Sequence, residues 1–299
     1  VLLLGEVVME PDKVLPYFGT EEKPGCHLLY NVTTMASTWH TLATQDTRLL
    51  QQQLAKVFAL PKDKIFLNYL RCHDDIGWGL DYGFLRNFGM EEIPHKAYLN
   101  AYFRGFTDLS ESRGELYNDD PLRGDARLCG TTASFCGIET GIKEKNPKKI
   151  EHAVSLDIML HAFLLSQSGL PVIYSGDEIA IENDYSYHDD PVKKLDSRYL
   201  HRAAFPWDKA KLRKKKGSVE EKVYSGILKL EELRRKNKAF SAAADTWIID
   251  TKNIHVLAFG RYLEGEKILC FYNFSVNTEV AYVISDEDRE LVKGVEEIE

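Results

Sequence analysis

The stretch "YLRCHDDIGWGL", Tyr69 to Leu80, decides how this chain is read. It continues the apolar run "KIFLN" (64–68), so a strand spanning 64–73 leads straight into three ionisable side chains, His73, Asp74 and Asp75. A parallel strand covered on both faces is apolar along its length. Charged groups fit only where the chain leaves the core, and in an α/β barrel the carboxyl ends of the strands face the substrate. The same unit, an apolar run followed by acid, recurs at Glu6 after "LLLG" and at Asp177-Glu178 after "VIYSG".

Outward from these three strands, residues 31–58 carry helical spacing, with Met35, Trp39, Leu42, Leu49, Leu50, Leu54, Val57 and Phe58 three to four apart. A long connection over 81–147 holds one helix at 93–105 and a Gly/Asp/Asn-rich loop region at 107–130. Helices are expected at 148–168 and 219–237, separated by a strand from Pro171 and a loop over 180–218. From Thr246 the segments "TWIIDT", "IHVLAFGRYL", "KILCFYNFS" and "EVAYVI" read as short strands of a small antiparallel unit. The pattern predicts an α/β domain over 1–240 followed by a β-domain over 241–299. The opening "VLLLGEVV" reads as a strand buried on both faces from its first residue, as if the chain were cut inside a domain. Three strands do not close an eight-stranded barrel.

With 299 residues, 44% of them hydrophobic, the chain can bury a sizeable core. Its net charge of −8, with acids and bases interspersed, argues against nucleic acid or an anionic membrane as a partner. The basic run Lys209 to Lys216 has no interleaved aromatics and reads as a solvated loop. Cysteines at 26, 72, 129, 136 and 270 form no CxxC and fit a reducing compartment. No apolar run reaches the roughly 18 residues of a membrane helix, so a cytoplasmic location is expected. No cofactor is expected, because no Gly-rich phosphate cradle follows a strand. No metal is expected either, since further ligands at recognisable spacing are missing.

Two carboxyl groups flanking a glycosidic bond suffice to cleave or transfer it, one as nucleophile and one as protonated acid. Glu6, behind an apolar strand and Gly5, has the setting that raises a carboxyl pKa. Asp74, preceded by His73, is suited to grip sugar hydroxyls through charged hydrogen bonds. Other readings stay open: a strand-end Glu is also a salt-bridged rim residue, and His-Asp is also a buried network or part of a metal site.

"NYLRCHDDIGWGL" resembles the strand-seven motif of the α-amylase superfamily (glycoside hydrolase family 13), and its extended form resembles the amylosucrase-like branch. "GEVVMEPDKVLPYFG" resembles that branch's strand-five segment, "TMASTWHTLATQDTRLLQQQL" the helix after it, and "GDARLCGTTASFCG" its long insertion. "GLPVIYSGDEI" is similar to strand eight, and "DSRYLHRAAFPW" to the loop lining the sugar pocket. The likeness covers roughly residues 1–275, with the motifs in family order. It implies the second half of a (β/α)8 TIM barrel, strands five to eight, followed by a small antiparallel β-domain. It implies a retaining glucosyltransferase that acts on sucrose, releases fructose and builds an α-1,4-glucan. Glu6 would be the acid/base, and Asp74 the carboxylate that binds glucosyl hydroxyls and stabilises the transition state. His73 would donate to the same sugar, and Asp75 and Arg127 would lie on the acceptor or fructosyl side. Arg198 would close the pocket behind the glucosyl unit through a salt bridge, and Arg202 would line the same loop.

The chain departs from the family at the nucleophile, an aspartate on strand four in a segment like Gly-x-Arg-x-Asp. "RGDARL" (123–128) has similar letters but follows strand seven, so it is rejected. Strands one to four are expected in an N-terminal half of the same barrel, with sucrose and α-glucan as ligands. The rival functions are a sucrose or α-glucoside hydrolase and a non-catalytic carbohydrate-binding remnant.

Overall fold

The computed structural model describes residues 1–7, 9, 11–120 and 124–277. Its centre is a parallel sheet of four short strands, β1 (Leu4–Gly5), β2 (Leu28–Tyr30), β3 (Ile65–Asn68) and β6 (Leu170–Pro171), in the order β1-β2-β3-β6. Leu29 lies opposite Phe66, and Leu67 opposite Leu170. The sequence reading found three strands and missed β2, whose three residues are too few to show a period. The stretch "VLLLGEVV" is also corrected. Among its described residues only Leu4–Gly5 is strand, and Leu2 and Leu3 are 73% and 51% exposed. A strand is buried by what packs on it, and among the described residues only β2 flanks β1.

The helical stretch 31–58 is two helices, Val32–Thr44 and Arg48–Phe58. Gln45, at φ 57°, ends the first in the left-handed region. Asp46 then accepts from the Arg48 backbone N–H at 3.0 Å and grips its guanidinium, restarting the chain as a helix. The predicted helices at 93–105, 148–168 and 219–237 are found at Glu92–Phe103, Pro147–Ser166 and Val219–Lys236. Asn146 caps Pro147–Ser166 by accepting from the N–H groups of Lys148 and Lys149, with Pro147 at the first helical position. Acids in the first turn and basic residues in the last complement the dipole of Val219–Lys236. Within the region read as loop, β4 (Glu115–Tyr117) and β5 (Arg127–Cys129) form an antiparallel hairpin. The basic run at Lys209–Lys216 is a short helix (Trp207–Lys211) and a 3-10 turn rather than a loop.

The tail folds as a three-stranded antiparallel sheet, β7 (Asp245–Ile248), β8 (Val256–Leu263) and β9 (Glu266–Asn273). "EVAYVI" (279–284) lies outside the described residues. The sheet shares an apolar cluster with the rest of the chain: Phe259 meets Phe58, and Tyr272 meets Phe163, at ring separations of 5.7 and 5.5 Å. Arg261, fully buried on β8, donates to the carbonyls of Ala239, Ser166 and Ser241 and to Ser168 Oγ. Its guanidinium thus satisfies the Ser166 carbonyl freed at the end of helix Pro147–Ser166. Among the described residues no helix is long and apolar enough to cross a membrane.

Candidate active site

Beyond β3 the chain first turns inward. Trp39 Nε1 donates to the Leu70 carbonyl at 2.7 Å, and Tyr69 and Leu70 are buried. Arg71 Nε donates to Asp177 Oδ1 at 2.8 Å, and Thr132 Oγ1 donates to Asp177 Oδ2 at 3.0 Å. Both side chains of this ion pair are 2% exposed. Asp177 is therefore the counter-ion that ties the end of β3 to the turn after β6. Next to it His201 Nδ1 accepts from the Gly130 N–H, and burial with the Arg71 charge lowers its pKa to about 3, leaving a neutral ring.

At His73 the chain turns outward, and the side chains expected to carry chemistry gather. Arg198 Nη1 donates to Asp74 Oδ1 at 3.1 Å, and the Asp75 backbone N–H donates to the same oxygen at 3.0 Å. Arg202 Nη2 stands 3.7 Å from it, while Arg202 Nε donates to the His73 carbonyl. Among the described residues these donors all address Oδ1, so Oδ2 is left without one, and the Asp75 carboxyl lies against the Asp74 carboxyl. Burial pushes the Asp74 carboxyl up, but the hydrogen bonds from Asp75 and Arg198 outweigh it and hold the pKa at about 2. Asp75 is the reverse. Its side chain is 2% exposed, Oδ2 accepts from Arg127 Nη1 at 3.1 Å, and Oδ1 has no partner. Burial, then the neighbouring Asp74, raise its pKa to about 6 against the pull of Arg127.

Each arginine is held by local structure. Arg198 is the second residue of a 3-10 turn (Ser197–His201) capped by Asp196, which accepts from its backbone N–H at 3.0 Å and from Nε and Nη2 at 2.8 and 2.9 Å. The fork uses two guanidinium nitrogens and aims the third at Asp74. Arg127 lies on β5, and Ile76 pairs with Leu128 through two backbone bonds of 2.8 and 2.9 Å, which seats the hairpin beside Asp75. Tyr117 on β4 is the cross-strand partner of Arg127. Its ring centroid is 5.8 Å from the Arg127 guanidinium carbon and 4.5 Å from that of Arg198.

Glu6 follows β1 and is exposed, so the apolar cover expected around it is not found in this chain. It stands at the same end of the sheet. After burial itself, the charges that raise the Tyr69 phenol include both Glu6 and Asp74, and the same two acids act on Cys72. Trp78, by contrast, is core: its Nε1 donates to Asn100 Oδ1 at 2.7 Å and its ring stacks on Phe103. Asp196 and Tyr117 were missed in the sequence. The first had a signal, since an acid two residues before an arginine suits a turn cap, and the second had none without the hairpin.

A cavity of about 380 Å³ beside the site is lined by Asn118, Asp119, Asp120, Asp125 and Arg127. A larger one of about 610 Å³ touches none of these carboxylates. It is lined by Pro171 and Ile173 near the free side of β6 and by Arg234 and Arg235 of the last long helix.

No family profile matches the chain. A trehalose synthase from Thermus thermophilus is 24% identical over 302 residues, covering 93% of this chain and 27% of that protein. Among solved structures, sucrose 6F-phosphate phosphorylase from Thermoanaerobacter thermosaccharolyticum superposes with a TM-score of 0.65 at 17% identity, covering 95% of this chain and 51% of that one. AmyP in complex with maltose gives 0.59 at 12%, covering 92% and 46%. An α-amylase from H. orenii gives 0.50 at 14%, covering 92% and 43%. The chain thus spans about a quarter of the curated relative and about half of the solved structures. At these identities the likeness is one of fold, and that fold is the one α-amylases and sucrose 6F-phosphate phosphorylase have in common.

Proposed function

We propose that the chain is the second half, strands five to eight, of a retaining glucosyl-transferring barrel that acts on sucrose and extends an α-1,4-glucan. Residues 1–240 belong to the barrel and 241–299 to a β-domain. The observation that carries this reading is the convergence at one sheet end. Asp74 is held ionised with one oxygen open, Arg198 and Arg202 stand behind it, the Asp75–Arg127 pair stands beside it, and Glu6 acts on the same Tyr69–Cys72 segment.

In this reading a carboxylate from an N-terminal half of the barrel attacks the anomeric carbon of the glucosyl unit. The bond to the fructosyl oxygen breaks, and Glu6 gives that oxygen its proton. Asp74 Oδ2 accepts hydrogen bonds from sugar hydroxyls, which strengthen as positive charge grows on the ring. Glu6, now ionised, takes the proton of an acceptor hydroxyl that displaces the enzyme carboxylate. His73 faces the glucosyl side, and Asp75 and Arg127 the acceptor or fructosyl side.

The test is to give sucrose to the protein purified from its natural source, with any polypeptide that accompanies it, and to quantify fructose and free glucose. Fructose in excess of glucose supports transfer. Equal amounts replace it with hydrolysis. Sucrose binding with neither sugar released sinks the enzyme reading and leaves a carbohydrate-binding protein.

A further inference from the structure

Adjacent aspartates with arginines on both sides pose a positioning problem. Either guanidinium, if free to swing, can bridge both carboxylates and close the open oxygen of Asp74. The structure keeps them apart: Arg198 serves Asp74 and Arg127 serves Asp75, each at 3.1 Å. Both guanidiniums lie within cation–π range of one ring, Tyr117, at 4.5 and 5.8 Å. The sheet register dictates one of these contacts, since Tyr117 lies directly opposite Arg127 on the hairpin. The other is fixed by the turn that carries Arg198, where Ser197 Oγ donates to the Leu116 carbonyl at 2.8 Å, one residue before the tyrosine. The ring is itself packed against Cys129, Tyr187 and Leu200, so it is seated independently of the arginines.

We propose that Tyr117 is a positioning residue of the sugar site, whose ring assigns one arginine to each aspartate and keeps Asp74 open to the donor sugar. The consequence for the reaction rests on the glucosyl-transfer reading above, but the arrangement of the arginines does not. The aromatic face, not the hydroxyl, provides the function.

The experiment compares Tyr117→Leu and Tyr117→Phe in the full protein. Tyr117→Leu is expected to lower kcat/KM for sucrose about tenfold, the equivalent of two partly exposed cation–π contacts, and Tyr117→Phe to stay within about twofold. A pH profile separates positioning from folding. Asp75 is faced by Asp74, Arg127 and the Cys129 thiol, and of these side chains Arg127 is the one that favours its ionised form, alongside its own backbone N–H. A looser Arg127 therefore moves the acidic limb of kcat/KM upward in Tyr117→Leu and leaves it in place in Tyr117→Phe. Activity lost in proportion to misfolded protein, with the limb unmoved, overturns the proposal, as does equal loss in both variants. If the wild-type protein does not turn over sucrose, the function fails but not this inference. The Tyr117→Leu crystal structure then decides, with Arg127 gone from Asp75 supporting it and both guanidiniums unmoved overturning it.

Discussion

Two arginine–aspartate pairs stand a few residues apart at the end of β3, and they do opposite things. Arg71–Asp177 is sealed in the core, 2% exposed on each side, with both aspartate oxygens and three protein groups engaged. Arg198–Asp74 has side chains 26% and 36% exposed and leaves Asp74 Oδ2 without a share of the donors. A pair sealed from solvent with both aspartate oxygens taken has nothing to give a ligand, whereas a half-exposed pair with an oxygen left free and charged at neutral pH does. Chemistry at a strand end is recognised by the valence left over, not by the presence of charge.

The comparison breaks most visibly in stability. Arg71→Ala leaves Asp177 without its counter-ion in the core, with Thr132 still donating to it, and removing one member of a buried pair costs about 3–5 kcal/mol. Urea unfolding of the full protein is expected to show that loss, with a large fall in midpoint. A loss under about 1 kcal/mol would mean that the pair is as dispensable as a surface one.

The middle case is Asp75, buried like Asp177 but only half paired. Its folded pKa, about 6, lies above its ordinary value of 3.8. The folded state therefore holds that proton more tightly than the unfolded chain. The stabilisation is fully present below pH 4 and is lost as pH rises through 6. Asp74, depressed to about 2, contributes in the other sense: its stabilisation is present above pH 4 and lost as pH falls towards 2. Asp75→Asn removes the buried charge and leaves behind only Arg127, whose side chain is 46% exposed. The variant is expected to be more stable than wild type at pH 7–8 by on the order of 1–3 kcal/mol, with the advantage vanishing below pH 4. Melting curves across pH 3–8 check it, and a variant less stable at pH 8 refutes it. Its activity on sucrose is expected to fall, as for a group kept at a cost to stability.

How much of this was legible beforehand follows the same physics. His73-Asp74-Asp75 stood out because three ionisable groups cannot continue a buried strand, and the structure places them at the sheet's carboxyl end. The long helices were legible from period and caps. Arg71 was not singled out, because its partner lies 106 residues away and a strand-end arginine looks the same whether it turns in or out. The β4–β5 hairpin was hidden in Gly- and Asp-rich text, since each of its strands has three residues and shows no alternation. With it went Tyr117, whose meaning exists only in register with Arg127. The arginines 127, 198 and 202 came from the resemblance alone. Nothing in the local sequence of Arg198 says that its third nitrogen points at Asp74, 124 residues earlier.

The smallest stability effect belongs to Arg198, and it is the sharpest test of the contrast. Asp74 and Arg198 are both partly solvated, so the pair is screened and worth roughly 0–1 kcal/mol to folding. Arg198→Ala should melt within a few degrees of wild type. Function is a different matter, because Asp74 Oδ1 loses its nearest side-chain donor and Arg202, at 3.7 Å, becomes free to move in and rotate the carboxylate. A charge-assisted hydrogen bond lost at the point where a sugar is gripped corresponds to roughly ten- to a hundredfold in kcat/KM. The Asp74 carboxyl, relieved of one of the groups that lower it, should also titrate higher than about 2, a shift read by carboxyl NMR because it lies below the acidic limb set by Asp75. Arg71→Ala and Arg198→Ala would then be mirror images. In the first, activity is lost because the fold is, and the residual folded protein keeps its pH profile. In the second, the fold stays, and the rate and the titration of Asp74 change. If Arg198→Ala unfolds the protein as Arg71→Ala does, the open oxygen on Asp74 is not the mark of a site.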